Sequence, residues 1–282
     1  MIRISAQEQL LPGQTLQQKW QFARRAGYDG IELRARGDFA FRDRLPELRR
    51  AARDGVPMPS VCVDMLHFFG AFDPDLRRDA VAQLKSQLSV IAEVGGPGAV
   101  ACTPASYGMF SRRLPPFEPP RGEDEDRAVL LEGLAELGEH AVREGATLVL
   151  EPLNRYEDHM VNRLEQAVER VDAVGLPSVK VLADTYHMNI EEDEPTAALV
   201  AAAARLGHVQ VSDSNRLQPG AGHIDWAALL RTLEAVGYDG YLALECRLRG
   251  EPAAAVAAVP AFLRQASRTP GLLTHVAGAG TA

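Results

Sequence analysis

The sequence is short of the features that tie a chain to nucleic acid, a membrane or an oxidising compartment. Aromatic residues make up only 6% of the 282 positions, and cysteine occurs three times. Cys62, Cys102 and Cys246 form no even disulfide set and no CxxC pair, and each lies within or beside an apolar run. They read as buried free thiols in a reducing cytoplasm. Positive charge is also scarce. With 30 Lys and Arg against 38 Asp and Glu, the net charge of −8 argues against a phosphate backbone as partner. No apolar run approaches the roughly 20 residues that span a bilayer, so no membrane is expected as partner. The opening stretch MIRISAQEQL lacks the basic-then-apolar character of a secretion signal and reads as a first strand. A Gly-rich phosphate loop after that strand is missing, which sets a doubly wound nucleotide-binding sheet behind the alternative developed below.

What is present is a rhythm. Its centre is ATLVLEPLNRYE, residues 146–157, where a short apolar run (Leu148, Val149, Leu150) ends at Glu151 and Pro152 follows at once. Proline cannot continue a central strand, and a carboxylate at the end of an apolar run is costly to bury without a partner. The pattern recurs along the chain. Strands are expected at Ile2–Ala6, Tyr28–Leu33, Pro59–Val63, Ala99–Cys102, up to Glu151, Val179–Ala183, His208–Ser212 and Tyr241–Leu244. Helical spacing separates them: Leu16, Trp20 and Ala23 before Gly27; Arg42–Arg53; Pro74 to Gly95; Glu123–Glu144; Arg163–Val174, with Asn162 as its cap; Pro195–Leu206; and the stretch after Asp225. A last helix near Pro252–Gln265 closes the pattern. Eight strands alternating with eight helices give an α/β chain folded as a single (β/α)8 TIM barrel over residues 1–266, with a loosely held tail at 267–282. Gly27-Tyr28-Asp29-Gly30 and Gly237-Tyr238-Asp239-Gly240 echo one another, and shared turn chemistry suffices to explain the echo. The Pro-rich stretch Thr103–Gly122, dotted with Tyr107, Phe110 and Phe117, reads as a lid over the pocket.

In such a barrel the carboxyl ends of the strands form one rim, where function collects. Glu151, Asp184, Gln210 and Glu245 fall at or near the ends of strands five to eight. Taken singly, each has a plain alternative, such as a solvated strand end or a helix cap. Together, three carboxylates in a shared pocket need a cation, and oxygen donors suit Mg²⁺ or Mn²⁺ better than Zn²⁺.

The stretches EPLNRYE (151–157), LADTYHMNIEE (182–192), SDSNRLQPGAGHIDW (212–226) and YLALEC (241–246) carry a resemblance. They resemble the xylose-isomerase-like TIM-barrel sugar isomerases and epimerases, nearest to the ketose 3-epimerases of the tagatose/psicose 3-epimerase and 5-keto-L-gluconate epimerase type. The first half matches only through its βα rhythm and GYDGIE. The resemblance implies a divalent metal, Mn²⁺ foremost with Mg²⁺ or Co²⁺ as alternatives, held by Glu151, Asp184 and Glu245. It implies sugar contacts from Glu157, His187 and Arg216, and a homo-oligomer, dimer or tetramer. The implied reaction is C3 epimerisation of a ketose or keto-sugar acid through a metal-bound enediolate, with Glu151 and Glu245 as the acid and base. The chain departs at Gln210, where those epimerases carry a ligating His; the hydroxypyruvate isomerases of the same superfamily carry Gln in a similar context. Gln210 therefore stays a ligand through its amide oxygen, and aldose–ketose isomerisation stays the alternative reaction. His208, two residues earlier on the same strand face, is expected one layer deeper as a buried histidine. Arg216 is expected either to meet an acidic substrate or to pair with Asp213. A DNA repair endonuclease would need a His-rich multi-zinc centre, which seven histidines at net −8 do not provide. A non-catalytic sugar-binding barrel remains the third reading.

Overall fold

The computed structural model describes residues 2–106 and 119–269. Its strands are β1 (Arg3–Gln7), β2 (Gly30–Arg36), β3 (Ser60–Asp64), β4 (Val100–Pro104), β5 (Thr147–Glu151), β6 (Val179–Asp184), β7 (Leu206–Val211) and β8 (Tyr241–Leu244). All neighbours pair in parallel, and β8 closes on β1 to complete the barrel. The Leu148–Leu150 run is fully buried, because a parallel barrel strand is covered on one side by the interior and on the other by helices.

The helices on the outer face are α1 (Leu16–Ala26), α2 (Ala40–Asp43), α3 (Leu45–Arg53), α4 (Pro74–Gly95), α5 (Glu123–Glu144), α6 (Leu164–Val174), α7 (Thr185–Glu191), α8 (Pro195–Ala202), α9 (Trp226–Ala235) and α10 (Pro252–Ala266). Local chemistry starts and stops them. Thr15 caps α1 by accepting from the Gln18 N–H, while Asp73 caps α4 with Pro74 in its first turn. Gly27 and Gly237 take φ of 96° and 75° after their helices, so the echoed GYDG segments share one left-handed stop. In both, the tyrosine hydroxyl reaches a backbone carbonyl: Tyr28 that of Val256 at 2.7 Å, Tyr238 that of Tyr241 at 2.8 Å.

Several expected boundaries move. β2 runs on to Arg36: Leu33 and Ala35 pair in register with Val61 and Val63, while Arg34 and Arg36 are exposed and Arg34 lines the cavity described below. The helix expected at Arg42–Arg53 is divided at Arg44 into α2 and α3. Asn162 does not cap α6: Arg163 holds the cap position, and the Asn162 side chain donates to Leu153 O at 2.7 Å and Asp158 O at 2.9 Å. It thereby ties down the β5–α6 loop. The short helix α7, directly after β6, is not among the eight expected helices and enters the sequence reading only through the helix-cap alternative for the rim acids. The expected lid at Thr103–Gly122 lies for residues 107–118 outside the described residues, as does the expected tail from residue 270 on. Among the described residues no helix is long and apolar enough to cross a membrane.

Candidate active site

Register brings the four rim residues together. Glu151 and Asp184 are the last residues of β5 and β6. A register irregularity between Val181 and Leu182 sets Asp184 opposite Gln210 on β7. Glu245 follows β8 directly, its N–H donating to Val211 O at 3.2 Å. Glu151, Asp184 and Gln210 are buried, and Glu245 is partly exposed at the floor of a cavity of about 530 Å³.

Asp184 divides its carboxylate between two tasks. Oδ1 accepts from the N–H groups of Tyr186 (2.7 Å) and His187 (3.3 Å), capping α7. Oδ2 accepts from Nη1 of Arg216, which lines the cavity, at 3.2 Å. The helix-cap role and the rim role thus coexist, one oxygen each.

Arg216 does not pair with the Asp213 side chain. That carboxylate is taken by Trp226 Nε1 (2.9 Å) and by the N–H groups of Ser214 (2.8 Å), Gly220 (2.8 Å) and Ile224 (3.2 Å). It organises the loop, and the Arg216 N–H donates to the Asp213 carbonyl to close a turn with Arg216 at φ 60°. The guanidinium so presented spans Asp184 and Glu245 (Nη2 to Oε1, 3.0 Å) and lies 4.7 Å over the Tyr186 ring.

His187 Nδ1 accepts from the Asn154 backbone N–H at 2.9 Å. An imidazole that accepts at Nδ1 carries its proton on Nε2 when neutral, and burial pushes the His187 pKa down, favouring that form. Nε2 lies 3.8 Å from Glu151 Oε1 and 3.2 Å from Arg216 Nη1. Glu157, held by Asn154 Nδ2 at 3.0 Å, lines the mouth of the cavity.

Burial, then the charges of Glu245 and Asp184, push the Glu151 carboxyl well above the usual range, against a lowering by Arg216. Glu245 is raised to about 7, again chiefly by burial, with Arg216 opposing. Three acids at this spacing are over-supplied with negative charge even with one guanidinium among them. Two buried oxygens, Gln210 Oε1 and Glu245 Oε2, find no hydrogen-bond donor among the described residues. Buried acceptors without donors are uncommon, and each calls for a partner such as a cation. The donor set of carboxylates and one amide oxygen fits a hard divalent ion. Glu151 and Asp184 present ligand atoms within 4.8 Å of one another and of His187, a set that does not include Glu245. With Nδ1 accepting from Asn154 and the proton on Nε2, His187 meets this set as a donor, suited to substrate.

One residue escaped the sequence reading. Glu32, in the middle of β2, is fully buried directly beneath this rim. Its Oε1 accepts from Gln210 Nε2 (2.9 Å) and Gln7 Nε2 (3.2 Å), its Oε2 from Ser60 Oγ (2.7 Å), with His208 Nε2 at 2.8 Å. Burial raises its pKa most strongly, but the bonds and charge of His208 with the bonds of Gln210 and Ser60 outweigh it and hold the carboxyl below the ordinary range. His208 is therefore the buried strand histidine expected, and its partner is Glu32. Glu32, Cys102 and His208 also lie at metal-ligand spacing, but the Glu32 oxygens are already filled by donors, which leaves no room for an ion.

Comparison with known proteins agrees with the barrel fold. The sequence profile described as "Xylose isomerase-like TIM barrel" matches residues 20–266. The chain is 37% identical over 265 residues to 3-dehydro-D-guloside 4-epimerase of Escherichia coli (strain K12), covering 93% of this chain and 99% of that one. It is 31% identical over 233 residues to D-psicose 3-epimerase of Enterocloster bolteae, covering 78% and 72% respectively. The crystal structure of apo 3-keto-D-glucoside 4-epimerase from E. coli superimposes with a TM-score of 0.87 at 36% identity, over 94% of this chain and 100% of that one.

Proposed function

Because the chain belongs to the xylose isomerase-like TIM-barrel family of sugar isomerases and epimerases, we propose that it is a divalent-metal-dependent epimerase that inverts the carbon next to the ketone of a keto-sugar. The observation that carries this reading is the convergence of Glu151 and Glu245, from β5 and β8, on one cavity beside two buried oxygens without donors. Glu151, Asp184, Gln210 and Glu245 would hold the ion, Mn²⁺ first and Mg²⁺ or Co²⁺ as alternatives. When bound, the ion polarises the substrate carbonyl and makes the neighbouring C–H more acidic.

One of the two glutamates takes the proton from that carbon, and the electron pair moves through the new C=C bond onto the ketone oxygen as an enediolate. The other glutamate returns a proton to the opposite face, and the carbon emerges inverted with the ketone restored. General acid–base catalysis of this kind contributes roughly 10²–10⁴-fold, about 3–5 kcal/mol. His187 Nε2–H and the Arg216 guanidinium are donors to the sugar oxygens, and Glu157 is an acceptor at the mouth.

The carbon follows the ketone. In a 2-ketose it is C3; in a 3-keto-glycoside it is C4, as in the name of the E. coli relative. A cavity of about 530 Å³ lies in the range that takes drug-sized ligands. The same reading includes a homo-oligomer, dimer or tetramer, which light scattering tests, and a cytoplasmic location, consistent with three free cysteines.

The test is incubation with Mn²⁺ in D₂O of 3-keto-glycosides, ketohexoses, keto-acids and hydroxypyruvate, followed by NMR. The expected product is a ketone epimer carrying one deuterium beside the carbonyl. An aldehyde product would replace this reading with an aldose–ketose isomerase, the alternative reaction left by Gln210. Binding without metal-dependent turnover would leave a sugar-binding barrel.

A further inference from the structure

We infer that Glu32 is a positioning residue that sets which end of the Gln210 amide is left without a protein partner, and so makes Gln210 an oxygen ligand. The inference rests on the metal-site reading above. A glutamine amide offers two nearly isosteric ends, one a donor and one an acceptor, and its orientation follows from its neighbours. Gln210 lies with Nε2 2.9 Å from Glu32 Oε1, while its Oε1 lies buried without a donor. An ionised carboxylate only accepts, so the amide end that touches Glu32 must be the NH₂ and the opposite end must be the oxygen.

The surroundings of Glu32 hold it in that acceptor-only form. Gln7, Gln210, Ser60 and His208 fill its two oxygens at 3.2, 2.9, 2.7 and 2.8 Å. Gln7 is oriented in turn, since Gln9 Nε2 donates to Gln7 Oε1 at 2.6 Å and leaves the Gln7 NH₂ for Glu32. The register of β1, β2 and β3 sets Gln7, Glu32 and Ser60 side by side in one row, so this base belongs to the rigid barrel and not to a loop. Partners of this kind, touching a ligand and not the ion, typically change metal affinity 10–100-fold when altered.

The test is a double-mutant cycle on Mn²⁺ affinity, read from the EPR signal of free Mn²⁺, in the full-length wild type, Glu32→Gln, Gln210→Leu and the double variant. Glu32→Gln replaces the acceptor-only group by an amide and lets Gln210 turn; it should bind Mn²⁺ about 10–100-fold more weakly. The double variant should be no weaker than Gln210→Leu alone, because Glu32 acts through Gln210. Wild-type affinity in Glu32→Gln, or additive losses in the double variant, would overturn the inference while the metal site stands. No Mn²⁺ binding by the wild type would instead overturn the metal-site reading. Should Glu32→Gln fail to fold, Glu32→Asp keeps the charge but shortens the side chain and draws its oxygens back from Gln210. It should weaken Mn²⁺ several-fold with an unchanged circular dichroism spectrum, and unchanged affinity in that folded variant also overturns the inference.

Discussion

Arg216 Nη2 donates to Glu245 Oε1 at 3.0 Å, and the same guanidinium reaches Asp184 Oδ2 at 3.2 Å. A fixed positive charge thus lies between two of the carboxylates proposed to hold a cation. It steadies the acids and opposes the ion at once. Replacement by Met keeps the stem and removes the charge. At about 5 Å and an effective dielectric near 20, a unit charge is worth about 3 kcal/mol before salt screening. Arg216→Met should therefore bind Mn²⁺ at least about tenfold more tightly, lower the Tm of EDTA-treated protein and raise KM for the keto-sugar. Weaker Mn²⁺ binding would show that the guanidinium does not compete with the ion.

The three acids carry the strongest expectation about activity. Glu151→Gln and Glu245→Gln each remove an acid/base as well as a ligand, whereas Asp184→Asn removes a ligand and keeps a cap acceptor for Tyr186 and His187. All three should reduce turnover by about 10²-fold or more. EDTA should abolish wild-type activity and Mn²⁺ should restore it. Only Asp184→Asn should recover part of its activity at high Mn²⁺. Full activity in stripped protein would end the metal reading.

The rim was legible because each of its members interrupts a pattern. Glu151 stands between an apolar run and a proline, and Asp184 between an apolar run and Thr-Tyr-His. The barrel was legible for the same reason, since strand and helix periods alternate throughout. Glu32 was not legible, although it is a lone acid between Ile31 and Leu33, both fully buried. What identifies it is the set of donors it meets, and these lie 25, 28, 176 and 178 residues away in sequence. Only the closed barrel brings them together. Of the two expectations for Arg216, the pairing with Asp213 falls: Asp213 is near in sequence, but the N–H groups of Ser214, Gly220 and Ile224 and the Trp226 indole at the start of α9 already occupy it.

Acid stability offers a test away from the site. Glu8 accepts from Arg44 Nη1 (2.6 Å), Arg44 Nη2 (2.8 Å) and the Arg34 N–H (2.8 Å), fastening the end of β2. Burial alone would raise its pKa, but the Arg44 bonds and charge and the Arg34 N–H hold it below the ordinary 4.5. The folded state then binds fewer protons at Glu8 than the unfolded state does, so this contribution is complete above about pH 4.5 and fades as acid protonates the folded carboxyl. Glu8→Gln should lower stability near pH 7 by about 1–3 kcal/mol, since charged hydrogen bonds are lost. The gap from wild type should narrow below pH 4. Urea midpoints at a series of pH values measure it; parallel curves from pH 7 to 3 would contradict the assignment.

The last prediction concerns the identity of the ion. Gln210 offers a neutral, hard oxygen, whereas imidazole at that position suits Co²⁺ and Zn²⁺ better. Gln210→His should keep metal binding and shift preference from Mn²⁺ towards Co²⁺. The imidazole must then sit against Glu32, which can fix it by accepting from its second nitrogen, the usual partnership of a ligating histidine with a carboxylate. Gln210→Leu leaves the ligand position empty and deprives Glu32 of one of its donors, so it should lose both Mn²⁺ affinity and thermal stability. Titrating Mn²⁺ and Co²⁺ into the three proteins separates the outcomes. If Gln210 serves only to satisfy Glu32, both variants will lose stability while the Mn²⁺ to Co²⁺ affinity ratio stays at the wild-type value.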